Sequence, residues 1–268
     1  MTMLDASYFF DLTDFIGKEI FSNTRYVWEG LGHLKDYMNA APYPDFTHPD
    51  LHNGIPLAKP LLVVDGRLQH AENCTISYGD ATKGKLTVTR DGQVLEGASV
   101  IMAGVVITGT RILLGKGVLV EAGALLKEPV ILGDQTEVRQ GAYLRGYCLT
   151  GKRCVVGHTT EVKHSVFLND AKAGHFAYLG DSILGGNANL GAGTKFANLR
   201  FLPGSVQVKA NNEVIDTGLR KLGAILGDNA QTGCNSVTNP GTLIGPEGIL
   251  IPNTTAPSGF HPAKALIR

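Results

Sequence analysis

From Met102 onward an aliphatic or Thr residue recurs every six positions, at Met102, Thr108, Leu114, Val120, Leu126, Leu132, Val138, Leu144, Thr150, Val156 and Val162. Four residues after each comes a small or β-branched one, as at Val118, Ala124, Ala142, Cys148, Cys154 and Thr160. The residue directly after the repeat start is often Gly, as at Gly109, Gly115, Gly133, Gly151 and Gly157. A fixed short period marks a repeat architecture, whose units bury their apolar faces against one another. The physical reading is a triangular solenoid, a parallel β-helix with three hexads per coil of 18 residues. The large aliphatic fills the interior, the small residue packs beside it, and Gly permits the corner.

The phase slips by one residue between Val162 and Phe167 and again between Leu179 and Leu184, then resumes through Leu190 and Phe196. Leu202 to Arg220 breaks the repeat. Val206–Lys209 and Glu213–Asp216, joined across Asn211-Asn212, read as a hairpin thrown out of the solenoid. Coils return with Leu226, Thr232, Thr238, Ile244 and Leu250, and the tail with Pro252, Pro257 and Pro262 suits a cap rather than another coil. The β-helix domain is therefore expected over 101–268, with a hairpin insertion at about 202–220.

Residues 1–100 lack the repeat. Arg25 to Asn39 fit a helix, with Val27, Leu31, Leu34 and Met38 along one face. Ala41 to Pro60 holds five prolines and reads as an irregular linker. Leu61–Val64, Thr75–Tyr78, Lys85–Arg90 and Gln93–Leu95 read as short strands, the last two joined by an Asp91-Gly92 turn. The segment is expected to be a small mixed cap or interface over the first coil. His48 and His52 are four apart, but the intervening proline argues against a helical metal pair; the loop reads as surface, and no residue is assigned as a metal ligand.

Lys+Arg and Asp+Glu both number 24, a balance that gives no electrostatic case for nucleic acid or an anionic membrane as partner. The most apolar stretch, Ala98 to Ile107, is far short of the roughly 20 residues that span a bilayer. Met1 to Leu12 lacks the basic start and apolar run of a secretion signal. Cys74, Cys148, Cys154 and Cys234 show no metal-like spacing and fit a reducing compartment, so a cytoplasmic protein is expected.

Residues one coil apart stack at one strand spacing, roughly 4.8 Å. Lys127, Arg145 and Lys163 are each 18 apart and fill the slot where Gly or another small residue is usual. This vertical file of cations on a neutral protein suits a dianionic phosphate, with Arg offering a bidentate grip. His175 follows Gly174 two places after a repeat start, which puts it at a corner, where imidazole can serve as a general base. Tyr178 is near it in sequence.

Glu161-Val-Lys163, Ala173-Gly-His-Phe-Ala-Tyr-Leu-Gly-Asp181 and Asn187-Ala-Asn-Leu-Gly-Ala-Gly-Thr194 closely resemble the acetyltransferase domain of the bifunctional glucosamine-1-phosphate acetyltransferase/N-acetylglucosamine-1-phosphate uridyltransferase family. The hairpin insertion, Asn198-Leu-Arg-Phe201 and Arg220–Asp228 look more like the archaeal sugar-1-phosphate form. The resemblance covers about residues 100 to 255 and implies a left-handed β-helix and an acetyl-CoA-dependent N-acetyltransferase of an amino-sugar 1-phosphate. It implies His175 as general base, and Arg145, Lys163 and Lys221 as cations on the sugar phosphate. Tyr178 and Asn189 match contacts to the amino sugar, Asn198 lies near the pantetheine, and Ala192 and Cys234 line the cofactor groove. It implies a homotrimer with sites built between subunits and no catalytic metal. Cys234 stands where the bacterial proteins usually have Ser, and Leu199 where they have Tyr. A hundred residues are too few for the uridyltransferase domain, so Mg²⁺ and UTP are not implied. Two other readings use the same scaffold: a sugar-phosphate-binding or regulatory protein without catalysis, and a γ-type carbonic anhydrase with zinc on His158, His164 or His175, which lack that family's close His pair.

Overall fold

Each coil of the repeat region contributes three short strands, and each strand pairs in parallel with its counterparts one coil away. The structure, a computed structural model, describes residues 4–268; the first three residues of the stretch read above for a leader lie outside it. Parallel pairing forms two eight-stranded faces and one of nine strands, which two antiparallel strands extend to eleven, so the architecture is a parallel β-helix. The first face runs through Leu119–Val120, Glu137–Val138, Val155–His158, Lys172–His175 and Asn189–Leu190. The second runs through Leu125–Lys127, Tyr143–Arg145, Glu161–Lys163, Tyr178–Gly180 and Lys195–Phe196. The third runs through Val130–Leu132, Cys148–Thr150, Ser165–Phe167 and Ile183–Leu184.

The six-residue period has the expected physical origin. On the second face Leu126, Leu144, Val162, Leu179 and Phe196 stack in register inside the triangle, and all are buried. Both phase slips are real: Leu144 pairs with Val162, 18 on, but Thr150 pairs with Phe167 across the first slip and Leu179 with Phe196 across the second, each one residue less per coil. The start of the pattern differs from expectation. Ile101 and Ile107, not Met102 and Thr108, point inward, pairing with Val120 and Leu126. The first coil holds one extra residue at the corner after Thr108, where Gly109 takes a φ of 88° and the Glu128 carboxylate accepts from the N–H groups of Thr110 and Arg111. The tail differs too. Thr255–Ala256, Gly259–His261 and Leu266–Ile267 continue the three faces as a further coil. Pro252 precedes the first of those strands and Pro257 and Pro262 sit between them, at corners that need no ladder N–H.

The hairpin pairs Gln207–Ala210 with Glu213–Asp216 and turns at Asn211-Asn212, both at positive φ. The repeat resumes across it, with Ile183 pairing to Ile225.

Before the solenoid, Glu29–Ala40 forms the helix, starting later than the periodicity predicts. The Glu29 carboxylate accepts from the N–H groups of Arg25 and Tyr26, which fastens the preceding turn in a non-helical form. Phe9, Phe10, Phe21, Trp28 and Leu31 from this part pack on the third face, against Ile131, Leu149, Val166, Ile183, Ile225 and Leu243. Those six are the outward residues of successive coils, so the N-terminal aromatics cover one whole side. Leu61–Val64 pairs antiparallel with Ser99–Ile101 and Arg67–His70 pairs beyond it, which covers the open edge of the first coil. A small sheet of Cys74–Ser77, Thr87–Arg90 and Gln93–Val94 packs on Val100 and Leu119 of the first face.

Candidate active site

The corner between the first and second faces carries three of the expected site residues in one vertical file. Ala173 pairs with Leu190, and Leu190 with Thr232, so the residues two places on, His175, Ala192 and Cys234, stack coil on coil. The backbone bonds follow the file: Gly193 N–H donates to His175 O at 3.0 Å, and Asn235 N–H to Ala192 O at 2.8 Å. The N–H groups of Ala192 and Cys234 make no backbone hydrogen bond among the described residues. Two amide donors therefore line the file one coil apart. His175 is exposed, with the Phe176 ring 6.4 Å from its own, and Phe176 takes the left-handed φ of 51° that turns the corner. Cys234 is exposed, whereas Cys148 and Cys154 are buried in the solenoid and burial pushes both thiols up to about 12.

The cation file stands on the outer side of the second face. Lys127 pairs directly with Arg145, Lys163 follows one coil on, and Gly180 succeeds Lys163. Arg145 is not free of partners: its Nη1 donates to Glu161 Oε1 at 2.5 Å, a bond that favours the charged guanidinium. Glu161, in turn, is the strand neighbour of Tyr178. Burial raises the Tyr178 hydroxyl above its ordinary range, and the charges of Glu161 and Asp181 add to the effect.

The corner between the second and third faces holds a buried polar chain. His164 Nδ1 meets Asp181 Oδ1 at 2.9 Å, and Asn198 Nδ2 donates to Asp181 Oδ2 at 2.6 Å. The Tyr178 hydroxyl lies 3.5 Å from Asn198 Oδ1. Burial acts to raise Asp181, but the His164 and Asn198 hydrogen bonds and the Lys163 charge outweigh it, and the carboxyl lies below its ordinary value. Gly180 makes room for this arrangement: a Cβ there would meet Asn198 Nδ2 and the Tyr178 hydroxyl. The hairpin leaves the solenoid just beyond Asn198 and returns at Lys221, where Leu199 bridges Lys221 and Leu222 N–H donates to Asn198 O at 3.0 Å.

The second face and its two corners thus gather most of the expected residues of this chain: His175, Ala192 and Cys234 on one corner, Asn198 and Lys221 at the other, with Arg145, Lys163 and Tyr178 between. Asn189 is separate, exposed on the first face. His158 pairs with His175 one coil away, whereas His164 faces Asp181 at the other corner. Glu161 and Asp181 received no role from the sequence, and His164 only that of a candidate zinc ligand in the carbonic anhydrase reading. Glu161 and Asp181 stand inside the quoted motifs, but hydrogen bonds between coils carry no local signal. Away from the solenoid, His48 does not meet His52; one donor atom each of His48, Asp50 and His70 lies within 4.8 Å of the others.

Residues 126–218 match the family model described as the GMPPB C-terminal domain. The chain is 35% identical over 144 residues, 47% of its length, to the bifunctional sugar-1-phosphate nucleotidylyltransferase/acetyltransferase of Sulfurisphaera tokodaii, of which it covers 36%. It is 40% identical over 104 residues, 39% of its length, to the bifunctional protein GlmU of Methanocaldococcus jannaschii, covering 25% of it. It is 31% identical over 191 residues, 69% of its length, to that of Clostridium novyi, covering 35%. The chain spans between a quarter and about a third of these relatives. Its solenoid is a relative of part of the bifunctional sugar-1-phosphate nucleotidylyltransferase/acetyltransferases.

Proposed function

We propose that this solenoid is an acetyl-CoA-dependent N-acetyltransferase acting on an amino-sugar 1-phosphate, glucosamine-1-phosphate or galactosamine-1-phosphate. One observation carries the reading: His175, Ala192 and Cys234 form one corner file with two free amides, beside a face bearing Tyr178 and Lys163. The sugar amine attacks the thioester carbonyl, and His175 takes its proton as the C–N bond forms. The developing oxyanion is stabilised by amide N–H groups of the Ala192–Cys234 file. Collapse of the tetrahedral intermediate breaks the C–S bond, and the coenzyme A thiolate leaves. Lys163, Arg145 and Lys221 hold the phosphate, and Tyr178 and Asn198 orient the amino sugar and pantetheine. The Glu161 partner of Arg145 makes Lys163 the less encumbered of the two cations. Asn189, on the first face, is taken to serve the site of a neighbouring subunit in a homotrimer, and the protein to be cytoplasmic.

The test is thiol release from acetyl-CoA in the presence of glucosamine-1-phosphate, galactosamine-1-phosphate and their unphosphorylated forms. Release with one of the phosphates, and far less with its parent sugar, supports the reading. Binding of the phosphate with no thiol release from any sugar overturns it in favour of a non-catalytic binding protein.

A further inference from the structure

We propose that His48, Asp50 and His70 form a binding site for a divalent transition metal of the Zn²⁺ class, unconnected with acetyl transfer. One donor atom from each lies within 4.8 Å of the other two. The His48 and His70 rings meet edge to face, with centroids 4.4 Å apart, and His70 Nδ1 lies 3.3 Å from Asp50 Oδ2. Two imidazoles and a carboxylate are the donors of Zn²⁺ and its neighbours; Mg²⁺ and Ca²⁺ prefer all-oxygen sites.

Both halves of the cluster are held by rigid backbone. Leu51 N–H donates to His48 O at 2.9 Å, closing a turn with Pro49 second in it, where its locked φ suits the turn. That turn presents His48 and Asp50 together; Asp50 N–H donates to His48 Nδ1 at 3.2 Å, a long bond that a metal on that nitrogen would displace. His70 ends a strand whose partner residue, Leu61, is fully buried and paired to Ile101 of the first coil. A tight turn at Asp65 and Gly66, both at positive φ, sets the register. Sites on such fixed supports lose little freedom on binding. Three protein ligands leave one position for water. The metal would fasten the proline-rich strap of residues 41–60, which has almost no ladder pairing of its own, to the end of the solenoid.

The site is independent of the proposed active site. His70 and His175 lie on strands six spacings apart in the eleven-stranded face, roughly 30 Å at 4.8 Å per spacing.

The full chain, stripped with chelator and dialysed, is titrated with ZnCl₂ by calorimetry. Strap protection from limited proteolysis is followed in parallel. One Zn²⁺ per chain is expected, with cleavage within 41–60 slowed on binding. His70→Gln and Asp50→Asn, at partly exposed positions the fold does not depend on, should each weaken binding by at least about tenfold. His52→Gln and Cys234→Ser should not. Imidazole ligands must be unprotonated, so binding weakens in acid. Zinc binding unchanged in His70→Gln, or abolished by Cys234→Ser, overturns the proposal, as does a stripped chain that binds no zinc. None of these readouts depends on acetyl transfer.

Discussion

At the scale of the residue, position along the coil separates the roles. His175→Ala should lower kcat by about 10²–10⁴, the usual span for a positioned general base, with little change in KM. Lys163→Ala should chiefly raise KM for the sugar phosphate and matter little for an unphosphorylated sugar. Arg145→Ala should act in the same direction but more weakly, because Glu161 already shares its guanidinium. Steady-state kinetics on both sugars check all three, and near-full turnover in a folded His175→Ala removes the catalytic assignment. Gly180→Ala tests the neighbouring corner. Its methyl group would displace the Tyr178 hydroxyl or the Asn198 amide, so it should impair sugar binding or turnover while the circular dichroism and melting profile of the solenoid persist.

Between elements, successive coils are tied by side chains that stand one coil apart. Asp181 joins His164 of one coil to Asn198 of the next and lies below its ordinary value of 3.8 in the fold. A carboxyl whose folded value is depressed contributes stability that is full above its unfolded value. That contribution is lost as the pH falls through the lower folded one. Asp181→Asn should therefore cost about 1–3 kcal/mol at neutral pH, the cost of breaking a buried hydrogen bond to a charge. The gap from wild type should narrow below about pH 4. Denaturant melts across pH 3 to 7 measure it; a gap independent of pH would show that the carboxylate charge contributes nothing. The N-terminal helix and aromatics are tied in by apolar contact instead. Trp28 is 2% exposed, and Trp28→Ala should destabilise the chain by about 3–5 kcal/mol at any pH in that range.

For the whole molecule, the separation of Asn189 from the second face makes assembly a functional question. Light scattering should give three times 28.5 kDa, and a monomer at micromolar concentration would remove the shared site. Chelation should leave acetyl transfer unchanged, since His175 needs no metal to accept a proton; activity lost with zinc and restored by it would favour a hydratase. The architecture is legible in the sequence because a solenoid writes its interior into the chain at a fixed period of six residues. The stacking of Lys127, Arg145 and Lys163 follows from the same arithmetic, and so does the corner position of His175. The period failed at its two ends. Ile101 and Ile107 replaced Met102 and Thr108 because one added residue at the Gly109 corner shifts every inward position before it. The prolines of the tail read as a cap because sequence does not distinguish a corner, where no ladder N–H is needed, from the end of a sheet. What only the tertiary structure decided is of two kinds. The aromatics covering the third face and His70 opposite His48 join residues whose separation bears no relation to the repeat, so folding alone brings them within reach. His164, Asp181 and Asn198 stand one 17-residue coil apart, but which side chains turn toward one another there, as between Arg145 and Glu161, is set by the packed corner and not by the period.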